Sequence, residues 1–156
     1  MEIINIENEE QLKELFKTGV RVGETVVINV GSDLEGTIEV WGKLLVTLGS
    51  QCKNITVKAH HHSMVGAEHY VSINIIALNG SIVDASGNAT VEAYDEAIVR
   101  ARWEVSVKAH NKVIVKSSNC HEIVLEDFST AIVGEHEDFG RPDVVVAPEK
   151  AKVIEY

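Results

Sequence analysis

The chain has 156 residues, of which 45% are hydrophobic and 24% charged, a balance that is typical of a folded domain and excludes intrinsic disorder. Acidic residues outnumber basic ones by 24 to 14, and the resulting net charge of −10 argues against a nucleic-acid partner or an anionic membrane. Aromatic residues make up only 5%, so we expect a narrow core of small aliphatic side chains. One domain is predicted over residues 1–156.

The N-terminal segment is acidic and lacks the basic residues and long apolar run of a secretory signal. No stretch reaches the roughly 18 apolar residues that cross a bilayer. Cys52 and Cys120 lie far apart and belong to no disulfide or zinc motif. We therefore predict a cytoplasmic protein in a reducing compartment, without a membrane partner.

A short helix is predicted near the N-terminus, over residues 8–18. Asn8 is a suitable N-cap, acidic residues follow in the first turn, and Leu12, Leu15 and Phe16 fall on one side of a helix. The first unit of a repeat array exposes apolar side chains unless something covers them. We therefore expect this amphipathic helix to cap the array.

From residue 20 to residue 133 the sequence repeats about every eight residues. The clearest units carry a valine followed two positions later by a small residue: Val83, Val91, Val99, Val107 and Val115, then Ala85, Ala93, Ala101, Ala109 and Ser117. Polar residues alternate with these positions, and turn formers such as Gly87-Asn88 separate the units. Alternation with a period of two predicts short half-buried β-strands, and corners of three residues leave no room for helices.

Identical units favour parallel stacking, because each small side chain then packs on its own copy about 4.8 Å away. Asn79-Gly80 is the only strong hairpin signal in the chain. The sequence therefore predicts an all-β fold, namely a single-stranded parallel β-helix (solenoid) that is right-handed and begins with the capping helix. Residues 134–156 are predicted to form a tail that covers the last coil or pairs with a neighbouring molecule.

The repeat leaves open how many units form one coil. A 24-residue coil of three units stacks Asp84 on Lys108, which is an opposite-charge pair. A 16-residue coil of two units stacks Asp84 on Arg100, but it also stacks Arg100 on Lys116. We therefore favour the three-sided form and keep the two-unit coil as the alternative.

One unit resembles a known tandem repeat. Residues 88–95, Asn-Ala-Thr-Val-Glu-Ala-Tyr-Asp, are similar to the octapeptide Asn-Ala-Thr-Val-x-Ala-Tyr-(Asp/Gly) of uncharacterised bacterial and phage β-solenoid proteins. Elsewhere within residues 81–118 the resemblance keeps the Val-x-Ala core. It implies a β-solenoid fold, and it carries over no catalytic residue.

Histidines cluster in one segment of the repeat, and imidazole is a common ligand of zinc, copper and nickel. Strand alternation predicts that His60 and His62 point outward on either side of a corner, with His69 seven residues further on. This spacing matches no known metal motif, and a fourth ligand would have to come from another coil. A solvated polar corner is the preferred interpretation, and a metal site at these three histidines is the alternative.

Tyr94, Trp103 and His110 are the candidate ligand-binding residues, because rings at outward or corner positions can pack against a sugar. Some parallel β-helices are polysaccharide-cleaving enzymes with paired carboxylates, but long loops wall their clefts, and three-residue corners cannot do so. The chain contains no phosphate-binding glycine loop and no nucleophile motif. We therefore predict no cofactor and no catalytic residue.

The sequence accordingly favours a non-enzymatic structural or protein-interaction module, of phage or bacterial type, that self-associates through a coil end or the tail. The alternative is a carbohydrate-binding or carbohydrate-active β-helix that uses one face of the solenoid. The first function needs a flat face or an end buried against a partner. The second needs a groove with aromatic and carboxylate side chains on adjacent coils.

Overall fold

The computed structural model describes residues 2–47, 52–68, 71–134, 143–146 and 151–155. In these residues the chain forms one short helix and a series of short strands that all pair in parallel, as predicted for a β-solenoid. Successive strands alternate between a nine-stranded sheet and a seven-stranded sheet over most of the chain.

The nine-stranded sheet contains, in order, β1 (Glu2–Ile6), β2 (Glu24–Ile28), β4 (Lys43–Val46), β6 (Met64–Ala67), β8 (Ile82–Ser86), β10 (Ile98–Arg102), β12 (Ile114–Ser118), β14 (Thr130–Gly134) and β16 (Lys152–Glu155). The seven-stranded sheet contains β3 (Gly36–Val40), β5 (Ile55–Ala59), β7 (Asn74–Ala77), β9 (Thr90–Ala93), β11 (Ser106–Ala109), β13 (Glu122–Leu125) and β15 (Asp143–Val146). The helix α1 (Glu9–Thr18) lies between β1 and β2 in the chain.

The pairing register shows that one coil holds two octapeptide units. Val99 pairs with Val83 on one side and with Val115 on the other, so stacked positions are 16 residues apart. The favoured 24-residue coil is therefore wrong: stacked positions repeat every 16 residues, and the described strands form two sheets. The right-handed sense of the winding stays a prediction.

Two physical reasons explain this outcome. The valine and alanine side chains that point inward are small, and a 16-residue coil leaves them less space to fill than a 24-residue coil would. The like-charge neighbours that argued against two units, Arg100 and Lys116, are both exposed, so water screens their repulsion.

The interior is one continuous stack of apolar side chains that runs from Ile6 to Val133. Inward positions alternate with outward ones in both sheets, as the sequence predicts. Val83 and Ala85 in β8 and Val91 and Ala93 in β9 all have no exposed surface. Neighbouring rungs in this part of the stack therefore present the same two small side chains, valine and alanine, to one another.

The predicted helix is present, and its ends are as expected. The Asn8 side chain accepts a hydrogen bond from the backbone N–H of Gln11, and Leu12 and Leu15 are buried. The helix packs against β3, the terminal strand of the seven-stranded sheet. Gly19 ends the helix with φ of 64°, and a Cβ there would lie 2.6 Å from the carbonyl oxygen of Glu39.

Strands at both ends continue the sheets beyond the predicted repeat. The strand β1 precedes the helix and pairs with β2, so the nine-stranded sheet begins before the predicted repeat. At the other end, β15 pairs with β13 and β16 pairs with β14, so strands within the predicted tail continue both sheets. No helix in the described ranges is long and apolar enough to cross a membrane.

Candidate functional site

Rings stack on one another where the chain leaves the seven-stranded sheet. Tyr94 follows β9 and His110 follows β11, and the 16-residue coil places one directly above the other. Their ring centroids are 4.5 Å apart and their planes differ by 4°. This distance is close to the spacing of strands, so one face of each ring is covered by the other ring.

Carboxylates hold both rings in place. The Tyr94 hydroxyl donates a hydrogen bond of 2.6 Å to Oε1 of Glu92. His110 Nδ1 lies 2.7 Å from Oε2 of Glu126, and its Nε2 lies 3.4 Å from Oε1 of Glu92. Lys108 completes the group, with Nζ 3.3 Å from Oε1 of Glu126.

These contacts change the acidity of two groups. The hydrogen bond from Tyr94, helped by the nearby His110, lowers the pKa of Glu92 and keeps it ionised. The same bond raises the pKa of Tyr94 to about 12, because a phenolate could not donate to the carboxylate. A carboxyl with a lowered pKa is a poor general acid near neutral pH.

The same group of residue types recurs three coils away in the seven-stranded sheet. His60 stacks on Trp41, with centroids 4.9 Å apart and planes 8° from parallel. The His60 Nε2 atom contacts Oε2 of Glu39, and Lys58 Nζ lies 3.5 Å from Oε1 of the same carboxylate. An aromatic ring, a histidine, a glutamate and a lysine thus fill equivalent positions in both places.

The three predicted ligand-binding residues do not form one site. Tyr94 and His110 come together, but Trp103 follows β10 in the nine-stranded sheet, at the turn that leads back to the seven-stranded sheet. Trp103 and Tyr94 are nine residues apart in the sequence, which is about half of a 16-residue coil, so they lie on different sides of the solenoid. The stack also covers one face of each ring, which leaves at most one face of each for a sugar.

The predicted metal ligands are also not gathered in the described residues. His60 is held by Glu39 and Trp41, and His62 lies at a turn with φ of 55°. His69 lies outside the described residues. Across the ranges that are described, no group of three or more His, Cys, Asp or Glu side chains could hold a metal ion.

A surface that sequence reasoning missed lies on the outer face of the nine-stranded sheet. Four outward aliphatic side chains on consecutive strands, here named the aliphatic column, pair in register: Met64, Ile82, Ile98 and Ile114. The two end members are 45% and 40% exposed. The equivalent outward positions of the seven-stranded sheet are polar: Thr37, Thr56, Asn74, Thr90, Ser106 and Glu122.

The sequence did contain a signal for this column. The residue before each repeat valine alternates between apolar and polar, as in Ile82, Thr90, Ile98, Ser106 and Ile114. That alternation has a period of 16, which identifies both the coil length and the face that carries the aliphatic side chains.

A groove of about 540 Å³ opens beside the aliphatic column. It lies over Gly66, whose neighbours in the outward column are Leu45 and Asp84. Lys43, Arg100 and Arg102 add positive charge to its lining, and Arg102 forms an ion pair with Asp84. We refer to this depression as the Gly66 groove.

Comparison of the chain with protein-family models, with curated proteins and with solved structures gave no match.

Proposed function

We propose that the chain is a non-enzymatic structural or protein-interaction module, and that it offers the outer face of the nine-stranded sheet to a partner. The observation that supports this proposal is the aliphatic column. A sheet face that only meets water is normally polar, and contiguous exposed apolar side chains are typical of interaction surfaces.

The seven-stranded sheet provides an internal control for this argument. Its outward column carries threonine and serine at positions such as Thr90 and Ser106, although the fold and the coil are the same. β-Branched residues of either polarity suit a strand, so strand propensity alone does not require isoleucine on the other sheet. The aliphatic column therefore has a reason beyond the formation of the strand.

The surroundings of the acidic residues favour a role without catalysis. Glu92 and Glu126 are held by Tyr94 and His110, and the two rings cover one face of each other. Next to these residues the corner between the strands is a short turn, 94–97, which is closed by a hydrogen bond of 3.2 Å from Ala97 N–H to the Tyr94 carbonyl; longer connections, of seven and eight residues, lie between β2 and β3 and between β4 and β5. A turn as short as 94–97 builds no wall beside a substrate.

Site-specific photo-crosslinking tests the proposal. The photoreactive amino acid p-benzoylphenylalanine replaces Ile98 on the aliphatic column or, as a matched control, Thr90 on the other sheet. We expect irradiation of cells that contain the protein to give one discrete crosslinked protein from position 98 and none from position 90. The crosslinked protein is then purified separately, and its affinity for the unmodified chain is measured.

Two results would contradict the proposal. Equal crosslinking from both positions, or none from either, would mean that the aliphatic column is not a preferred surface. Binding to oligosaccharides in a glycan panel, with loss of binding in a Tyr94→Ala or Trp103→Ala variant, would support the carbohydrate-binding alternative instead.

A further inference from the structure

Gly66 is a glycine that the fold itself does not require. It lies inside β6, paired with Leu45 on one side and Asp84 on the other, and its φ is not in the left-handed region. A Cβ built at this position would meet the Leu45 Cδ2 atom at 2.8 Å, and the nearest backbone atom is 4.0 Å away. Cδ2 is the end of a flexible side chain, so a small rotation of Leu45 would make room.

Glycine weakens a strand interior, and where the backbone geometry does not explain it, it often marks close approach by another molecule. Replacing Gly66 by a larger residue would place side-chain atoms in the Gly66 groove and narrow it. The glycine therefore keeps open a depression of about 540 Å³ on the same face that carries the aliphatic column.

The lining of the groove indicates the chemistry of its occupant. Leu45, Met64 and Ile82 provide an apolar part. The lining holds three cations, Lys43, Arg100 and Arg102, and two carboxylates, Asp84 and Glu68, so its formal charge is +1, although the chain as a whole carries a charge of −10. A positive balance beside aliphatic side chains is complementary to an acidic segment with apolar residues.

We propose that the Gly66 groove anchors an aliphatic side chain of an acidic partner polypeptide, with carboxylates of that segment meeting Lys43 and Arg100. This inference rests on the proposed function of the nine-stranded face. A second copy placed face to face is a poor occupant, because its nine-stranded face presents Lys43, Arg100 and Lys116, which have the same sign as the net charge of the groove. The partner is therefore a different acidic protein.

A defined peptide probe tests the inference with the full chain. The probe is fluorescein-labelled Glu-Leu-Glu-Leu-Glu-Leu-Glu, its affinity is measured by fluorescence anisotropy at low salt, and the same peptide with Lys in place of Glu serves as the charge control. We expect Gly66→Val to weaken binding by at least about tenfold, because the groove is narrowed. Asn74→Val, which adds bulk at an exposed outward position of the seven-stranded sheet, is expected to leave the affinity unchanged.

The charge component has its own pair of variants. Arg100→Glu is expected to weaken binding by about tenfold and to reduce its salt dependence. Lys53→Glu changes the net charge by the same amount in an exposed turn before β5, and we expect it to have less than a twofold effect. Because Gly66→Val suits a strand, its thermal unfolding is expected at or above that of the parent, which shows that lost binding is not lost folding.

Three outcomes would overturn the inference. They are parent-like peptide binding by Gly66→Val, equal binding of the lysine peptide, and binding of vesicles with 30% anionic lipid in place of the acidic peptide. If Gly66→Val still gives the crosslink from position 98, the interaction module stands and its anchor lies elsewhere. If the parent gives no crosslink from position 98, the proposed function itself fails.

Discussion

The outer faces of the two sheets differ, although the two sheets share one interior. Inward, β10 and β11 both present a valine followed by an alanine, and all four side chains are buried. Outward, β10 begins with Ile98, whereas β11 begins with Ser106. On the outer face of the seven-stranded sheet, ion pairs and stacked rings link side chains of neighbouring strands. On the outer face of the nine-stranded sheet, Arg100 and Lys116 form no ion pair with the described residues.

The comparison separates two kinds of constraint on the same repeat. Packing inside the solenoid repeats every eight residues, because both sheets face the same narrow core. The exterior repeats every sixteen, because only every second strand belongs to the same face. The inward side chains that recur every eight residues are therefore constrained by packing of the core. The outward side chains that recur every sixteen residues are not constrained by that packing.

The largest expected effect on stability comes from a charged side chain placed in the interior that the two sheets share. Val99→Asp and Val107→Asp each put a carboxylate into the apolar stack, one from each sheet, and each is expected to cost several kcal/mol and to abolish folding. Circular dichroism and urea titration provide the measurement, with Thr90→Asp as an outward control. If either variant unfolded like the parent, the assignment of inward positions would be wrong for that sheet.

Much of the fold was predictable from the sequence, because one simple rule governs the interior. The recurrence of Val83, Val91 and Val99 with small residues between them indicates stacked parallel strands. The coil length was predicted wrongly because it was judged from exposed charges such as Asp84 and Lys108, whose pairing contributes little in water. The column of Ile82, Ile98 and Ile114 carries the information that decides it.

The stacked rings were predicted only in part. Tyr94 and His110 were recognised as candidates, but whether they meet depends on the coil length, as does their separation from Trp103. The Gly66 groove could not be predicted, because a glycine in a strand pattern also fits a bulge or a bend. Its register between Leu45 and Asp84 distinguishes these cases.

A smaller loss of stability is expected from substitutions on the outer face of the seven-stranded sheet. His110→Ala removes the stack on Tyr94 and the contact with Glu126, and we expect it to lower the free energy of unfolding by about 1–2 kcal/mol. His110→Phe keeps a ring and loses the polar contacts, so an intermediate value is expected from urea titration. A loss below about 0.3 kcal/mol for His110→Ala would mean that the rings do not stabilise this face.

The pH dependence of stability tests the hydrogen bond between Tyr94 and Glu92. The pKa of Tyr94 is raised to about 12, so its contribution is complete below the ordinary value of 10.0 and is lost as the pH rises towards about 12. The pKa of Glu92 is lowered, so its contribution is present above the ordinary value of 4.5 and is lost as the pH falls through the lowered value. The stability difference between the parent and Tyr94→Phe is therefore expected to be constant from pH 5 to 9 and to shrink on both sides. If the stability difference between the parent and Tyr94→Phe stayed constant below pH 5, from pH 5 to 9 and above pH 9, the hydrogen bond between Tyr94 and Glu92 would be contradicted.

The smallest effect on stability is expected at Arg100, on the outer face of the nine-stranded sheet. Its side chain is exposed and forms no ion pair with the described residues, so Arg100→Ala is expected to change the free energy of unfolding by less than about 0.5 kcal/mol. Urea titration and light scattering of the same samples provide the measurement. A larger loss that depends on protein concentration would mean that this face is buried against a second copy, which contradicts the acidic partner. A small loss combined with weaker binding of the acidic peptide would separate the residue that serves the partner from the residues that serve the fold.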